Sequence, residues 1–93
     1  MASVLVIDLY VYLQQKITKL LEIEGHDVIG IYPGRDLLGV NLRRRQFDYI
    51  LVNQGVSPRF QKQLKESVDK YQQECQIMGA VYDRDYLLQM VSR

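Results

Sequence analysis

Apolar and polar residues follow two different periods along this chain, and the period changes at regular intervals. Four short, nearly continuous apolar runs, rich in β-branched residues, are typical of strands covered on both faces. Amphipathic stretches with apolar residues three and four positions apart come after each run and predict helices. The predicted strands span residues 3 to 9, 26 to 32, 47 to 53 and 77 to 82, and the predicted helices span residues 11 to 24, 35 to 45, 58 to 75 and 83 to 92.

Turn and capping residues support these boundaries. Gly25 is placed to end the first helix with a left-handed cap, and Pro33-Gly34 is typical of a turn. Ser57 followed by Pro58 predicts an N-cap and the first helical position of the third helix. The apolar stripe of that helix ends at Cys75, which we interpret as a small apolar residue near the helix end.

The strict alternation of strand and helix predicts the architecture. It implies right-handed crossovers and a parallel sheet with helices on both faces, which is an α/β fold of the three-layer α/β/α sandwich type. The 93 residues suffice for a single domain spanning 1–93. Ligands of such sheets bind beyond the carboxyl ends of the strands. The residues that follow the strands are therefore the candidates for a functional site.

Composition and charge narrow the function only a little. Twelve basic and 11 acidic side chains give a net charge of +1, which argues weakly against nucleic acid as the main partner. The single cysteine excludes an internal disulfide and disfavours a cysteine-based metal site. The first apolar run has no basic residue before it and is interrupted by Asp8. We therefore expect no signal peptide, no membrane span and a cytoplasmic location.

Two segments carry a resemblance to a known family. "SVLVIDLYVYLQQKITKLLEIEGHDVIGI", residues 3 to 31, is followed by "FDYILVNQGVSP", residues 47 to 58. In order and in spacing, they resemble the receiver domain of bacterial two-component response regulators. The resemblance implies a flavodoxin-like fold with a four-stranded parallel sheet of order 2-1-3-4. It leaves open whether the last strand corresponds to a receiver's fourth or fifth.

The residues that the resemblance assigns to phosphoryl transfer are largely replaced. An aspartyl phosphate forms only on a carboxylate, and Asn53 stands at that position. The pair of acids that would help to hold Mg²⁺ is reduced to Asp8-Leu9, and no lysine follows Lys70. We therefore expect no catalytic residue, metal or cofactor. The region becomes a degenerate phosphoacceptor site made of Asp8, Leu9, Asn53, Gln54 and Asp83.

These losses predict a pseudo-receiver that is not an enzyme and acts as a protein–protein interaction or signalling adaptor. Tyrosine is enriched at protein interfaces, and Tyr10, Tyr12 and Tyr82 are the candidate contacts. Tyr32, Tyr49 and Tyr82 lie on predicted strands, so a place in the core is the alternative for Tyr82 and the expectation for the other two. The fourth strand would be an edge without a charge in "IMGAV", so we also expect a homodimer through this edge or the final helix.

Two alternatives remain open. Arg43, Arg44 and Arg45 end the second predicted helix, where cations are favourable and usually solvated. They also allow a less favoured role as a nucleic-acid-associated regulatory factor or a contact for an acidic partner. The other alternative is a small-ligand-binding domain at the carboxyl ends of the strands, for which the sequence names no compound.

Overall fold

The computed structural model describes the backbone of residues 1–53, 55–72, 74–80 and 83–91, and the side chains of these residues except at 35–37, 80, 84, 90 and 91. Strands and helices alternate along these residues, as the hydrophobic pattern predicts. The elements are β1 (Ser3–Ile7), α1 (Val11–Ile23), β2 (Asp27–Ile31), α2 (Arg35–Arg44), β3 (Tyr49–Asn53), α3 (Pro58–Tyr71), β4 (Gln76–Ala80) and α4 (Arg84–Val91).

The four strands form one sheet of order β2-β1-β3-β4, and every neighbouring pair is parallel. The predicted order and the α/β class are both confirmed. In the register of the central pair, Ile7 of β1 lies beside Val52 of β3. The residues that follow these two positions, Asp8 and Asn53, are thereby brought to the same end of the sheet.

Helices cover both faces of the sheet at its central strands. The residues of these strands are therefore apolar in succession and do not alternate with polar ones. One core cluster joins alternate residues of β1 and β3 to α2 and α3: Leu5, Ile7, Ile50, Val52, Leu38, Leu42, Phe60, Leu64 and Val68. The other joins the intervening residues to α1 and α4: Val4, Val6, Tyr49, Leu51, Ile17, Leu21 and Leu87. Successive apolar residues of β1 and β3 thus pack against one helical layer and then the other, which gives the three-layer sandwich.

The first helix ends as predicted, whereas the third helix is shorter than predicted. Gly25 adopts the left-handed backbone, with φ of 91°, which glycine reaches at no steric cost. The third helix ends at Tyr71, and its C-cap Gln72 leaves the helical region with φ of −134° and ψ of 99°. The side chain of Gln72 is buried and forms hydrogen bonds with the last turn of α2 and with the segment that follows it. These bonds draw the chain inward, so Cys75 lies beyond the helix.

Three further sequence predictions need correction. The third strand begins at Tyr49 rather than at residue 47, and the backbone N–H of Phe47 is bound by the side chain of Gln72 instead of a neighbouring strand. The first strand ends at Ile7 rather than residue 9, because the carboxylate of Asp8 accepts the backbone N–H of Tyr10 in a tight turn before α1. Tyr32 was expected in the core, but 53% of its surface is exposed just beyond β2. Tyr49, predicted in the core with it, is 7% exposed and confirms that expectation.

The last helix lies on the face of the sheet that α1 covers. Right-handed crossovers place α1 on one face, and α2 and α3 on the other, because the chain moves across the sheet in opposite directions. A helix leading to a fifth strand beyond β4 would belong beside α3. Instead α4 buries Leu87 against Ile17 and Leu21 of α1. Within the described residues, β4 is therefore an edge strand, and the sheet beside α3 is left without a further helix.

Candidate functional site

Asp8 and Asn53 meet at the carboxyl ends of the two central strands, as the sequence predicts. Asp8 is fully buried, and each of its carboxylate oxygens accepts one hydrogen bond. Oδ1 accepts the backbone N–H of Tyr10 at 2.8 Å, and Oδ2 accepts the side-chain amide of Asn53 at 3.0 Å. Hydrogen bonding of this kind compensates the burial of a charged group.

The loop after β3 sets the orientation of the Asn53 amide. Its Oδ1 accepts the backbone N–H of Gly55 at 2.7 Å, and its backbone carbonyl accepts the N–H of Val56 at 3.0 Å. With the oxygen turned toward the loop, the NH₂ group is left to face Asp8. The asparagine therefore joins the ends of two strands and one loop through its side chain.

At Asp8 and Asn53, this arrangement does not present the metal ligands and the nucleophile that phosphoryl transfer to an aspartate requires. Magnesium requires oxygen ligands in near-octahedral geometry, and an N–H donor faces Asp8 where a second carboxylate oxygen would be needed. An amide also lacks the nucleophilic carboxylate on which an acyl phosphate forms. Among the described residues, no group of three or more histidine, cysteine, aspartate or glutamate side chains is placed to hold a metal ion.

The other residues predicted for this region have structural contacts or lie outside the described part of the chain. Leu9 is partly buried and packs against the core on the α2 and α3 side. Asp83 is exposed and caps α4, since its carboxylate accepts the N–H of Tyr86 at 3.0 Å. Gln54 and Tyr82, both predicted as site residues, lie outside the described residues.

Exposed tyrosines follow the first two strands at this end of the sheet. Tyr10 is 60% exposed, and Tyr12, in the first turn of α1, is 66% exposed. The ring of Tyr12 lies under the ammonium of Lys16, 4.5 Å from the ring centroid. Tyr32, which follows β2, extends the set predicted from sequence. Its position after a strand was a signal for this location, but its apolar neighbours favoured a place in the core.

The arginine cluster is divided by the fold. Arg45 forms an ion pair with Asp27 and lies 5.4 Å from the ring of Phe47. The guanidinium of Arg43 donates to the carbonyl of Gly39 within α2 at 3.1 Å. Arg44 is exposed. Two of the three side chains thus contact the domain itself, and nucleic-acid binding by this cluster stays a prediction.

A groove beside β4 is a feature that the sequence did not indicate. It runs between α3 and the edge strand, with a volume of about 820 Å³. Val52, Leu64, Val68, Cys75, Ile77 and Gly79 supply its apolar lining, and Lys65 and Asp69 add two charges. Ile77 is 40% exposed. The groove occupies the face that the course of α4 leaves uncovered, which only the tertiary structure reveals.

The thiol of Cys75 packs against the core at the wall of this groove. Burial, with a smaller contribution from the negative charge of Asp48, raises the pKa of the Cys75 thiol to about 11. A thiolate is the reactive form of cysteine. The environment therefore favours the neutral thiol and a packing role over nucleophilic chemistry.

Comparison with known proteins supports the fold and leaves the function open. No protein-family model matches the chain, and no curated protein does. A solved structure described as a de novo designed Rossmann fold protein aligns with a TM-score of 0.62 and 13% sequence identity, covering 97% of this chain and 92% of its own. At this identity the likeness concerns the fold alone, so the chain has a Rossmann-like α/β fold. None of the helices in the described ranges has the length and apolar character needed to cross a membrane.

Proposed function

We propose that this chain is a receiver-like interaction module that carries no phosphoryl group and works as a phosphorylation-independent adaptor. The observation that carries the proposal is the hydrogen bond from Asn53 Nδ2 to Asp8 Oδ2. The sequence resembles a receiver in the segments that build this end of the sheet. Here the side chains are bonded to each other, in a state that needs neither cation nor phosphate.

The exposed tyrosines indicate which surface would contact a partner. Tyr10, Tyr12 and Tyr32 are each more than half exposed at the end of the sheet where Asp8 and Asn53 lie. Tyrosine buries a large apolar area on binding and keeps a hydroxyl for hydrogen bonding, at low cost in side-chain entropy. A protein partner that docks on this end would approach the site without requiring any chemistry there.

The absence of phosphoryl transfer is tested with a small phosphodonor. The purified protein is incubated with acetyl phosphate and Mg²⁺, and its intact mass is measured. We expect no phosphoryl adduct on the wild-type chain, because Asn53 presents an amide where a nucleophilic carboxylate is needed. A phosphoryl adduct that forms on the wild-type chain and does not form on the Asp8→Asn variant would contradict the proposal.

The adaptor role is tested by partner capture with matched variants. Wild-type protein, Tyr10→Ser/Tyr12→Ser and Tyr86→Ser serve as baits, each with and without acetyl phosphate. Tyr86 is 47% exposed on α4 and controls for the loss of an exposed tyrosine elsewhere. We expect one partner that is retained with or without phosphodonor, kept by Tyr86→Ser and lost by the double variant. Retention that depends on the phosphodonor would refute a phosphorylation-independent adaptor.

A further inference from the structure

The two edges of the sheet differ in how they are protected. The β2 edge begins at Asp27, which is exposed and paired with Arg45, and charge at an edge opposes pairing with another sheet. The described part of β4, Gln76–Ala80, has no charged residue. Unpaired backbone groups on such an edge are a template for adding a strand.

The uncovered surface at the β4 edge includes the groove beside α3 as well as the strand itself. Residues of β4 alternate between the two faces, and the register with β3 places Ile77 and Gly79 on the α3 side. Gly79 has no side chain, and no helix among the described residues covers this strip. A protein that only paired with the strand would leave the groove open, so the occupant must also supply a helix or bulky side chains.

The spacing of strands and helices fits a second copy of the same chain. Strands in a sheet are about 4.8 Å apart, and a crossover helix lies over the two strands that it connects. If β4 pairs antiparallel with β4 of a second copy about a two-fold axis, the two α3 helices lie about 10 Å apart, which is the distance of packed helices. Each α3 would then close the groove of the other protomer.

Two charged side chains of α3 would each face the opposite charge of the second copy in the same two-fold arrangement. Lys65 and Asp69 both line the groove, and they are four residues, or about 6 Å, apart along the helix. Among the described residues neither forms an ion pair. Antiparallel packing about an axis near Ser67 would place Lys65 of each protomer opposite Asp69 of the other, so two ion pairs would form from one pair of positions.

We propose that the β4 edge and the α3 groove form a two-fold homodimer interface, which joins two four-stranded sheets into one of eight strands. This inference goes beyond the adaptor function, since it concerns a different surface from the tyrosine end of the sheet. A stable interface buries about 800 Å² per partner, roughly one seventh of the chain's accessible surface of 5942 Å².

Sedimentation velocity over a range of concentrations tests the interface through a charge exchange. Lys65→Glu and Asp69→Lys each place like charges opposite one another in a homodimer, and each should weaken dimerisation at least about tenfold. An equimolar mixture of the two variants restores opposite charges across the interface. We therefore expect the mixture to dimerise when neither variant does so alone. A mixture that stays monomeric, or a wild-type chain that is monomeric at high micromolar concentration, would overturn the proposal.

A second pair of variants separates this interface from other modes of dimerisation. Ile77→Lys adds a charge to the β4 edge at a partly exposed position, so the fold should persist while the dimer is lost. Ile23→Lys makes the same change at the end of α1, where the side chain is 81% exposed, and should leave the dimer intact. A dimer unaffected by Ile77→Lys would overturn the β4 interface. Because no phosphodonor or partner is present, this failure would be distinct from failure of the adaptor function.

Discussion

Asn53 bears both on the proposed inability to accept a phosphoryl group and on the stability of the fold. Its amide supplies a donor to Asp8 and an acceptor to the N–H of Gly55. A carboxylate could perform only the second of these two roles. The asparagine thus compensates part of the cost of burying the Asp8 carboxylate.

Asn53→Asp should therefore destabilise the protein. Two carboxylates about 3 Å apart at a buried position repel each other, and the free energy of unfolding at neutral pH should fall by about 1–3 kcal/mol. Acidification should recover part of the loss, because a protonated carboxyl donates the missing hydrogen bond. Mg²⁺ should also stabilise this variant by binding between the carboxylates. The measurement is urea unfolding at two pH values, with and without Mg²⁺.

Gln63→Glu is the matched control for that experiment. It makes the same change from amide to carboxylate at a partly buried position of α3, where water can solvate the new charge. Its free energy of unfolding should change by less than about 0.5 kcal/mol. If Asn53→Asp were as stable as the wild type at neutral pH, the hydrogen bond to Asp8 would not have the role assigned to it.

Cys75 gives a prediction that depends on pH. Because the pKa of its thiol is raised to about 11, alkylation of the native protein at pH 8 should be much slower than that of the urea-unfolded chain, whose thiol has a pKa of about 8.5. The rate should increase roughly tenfold per pH unit until the pH approaches that raised value. Iodoacetamide labelling followed by mass spectrometry measures both rates. Equal native and unfolded rates at pH 8 would contradict the buried environment.

The raised pKa of the Cys75 thiol also makes the free energy of unfolding depend on pH. The native state holds the thiol proton to higher pH than the unfolded state does. The contribution of Cys75 to the free energy of unfolding is therefore complete below the unfolded pKa and is lost as the pH rises toward the native one. Cys75→Ser should remove this part of the alkaline loss of stability.

At the scale of elements, Gln72 joins the end of α3 to the last turn of α2 and to the segment between α2 and β3. Its side-chain oxygen accepts the N–H of Phe47 at 2.8 Å, and its NH₂ group donates to the carbonyls of Leu42 and Arg45 at 2.8 and 2.7 Å. The two helices on this face are therefore connected by one buried and fully bonded amide. Three backbone groups depend on it for their hydrogen bonds.

Gln72→Ala should lower the free energy of unfolding by about 3 kcal/mol, because these backbone groups lose their partner in a buried site. Gln63→Ala, on the same helix, should change it by less than about 0.5 kcal/mol. Urea unfolding of both variants measures the difference. A loss equal to that of the control would show that water replaces the amide without cost.

At the scale of the whole molecule, the helices of the described residues cover the two faces of the four-stranded sheet unequally. The face that holds α1 and α4 is covered across the sheet by Ile17, Leu21 and Leu87. The opposite face has α2 and α3, and the groove remains beside β4. The dimer proposed above belongs to this scale, since it depends on an uncovered strip and an uncharged edge that no single residue specifies.

Much of the fold could be predicted from the sequence because hydrophobic periodicity and turn residues are local signals. The continuous apolar strands, the amphipathic helices and the cap at Gly25 all lead to a parallel α/β sheet. The location of Asp8 and Asn53 at one edge of the sheet was also accessible, since residues that end adjacent parallel strands share an edge. The hydrogen bond between them was not predicted. The length of α3 was not predictable, because it depends on hydrogen bonds from Gln72 to residues 25, 27 and 30 positions away.

The sequence by itself determined the fold class, the strand order expected from the resemblance and the absence of a nucleophile at residue 53. These follow from side-chain chemistry and from patterns within single elements. Only the tertiary structure decided that α4 packs beside α1, that Tyr32 is exposed and that a groove borders β4. Each of these depends on which surfaces meet across the sheet, and contacts between distant segments have no local signature in the chain.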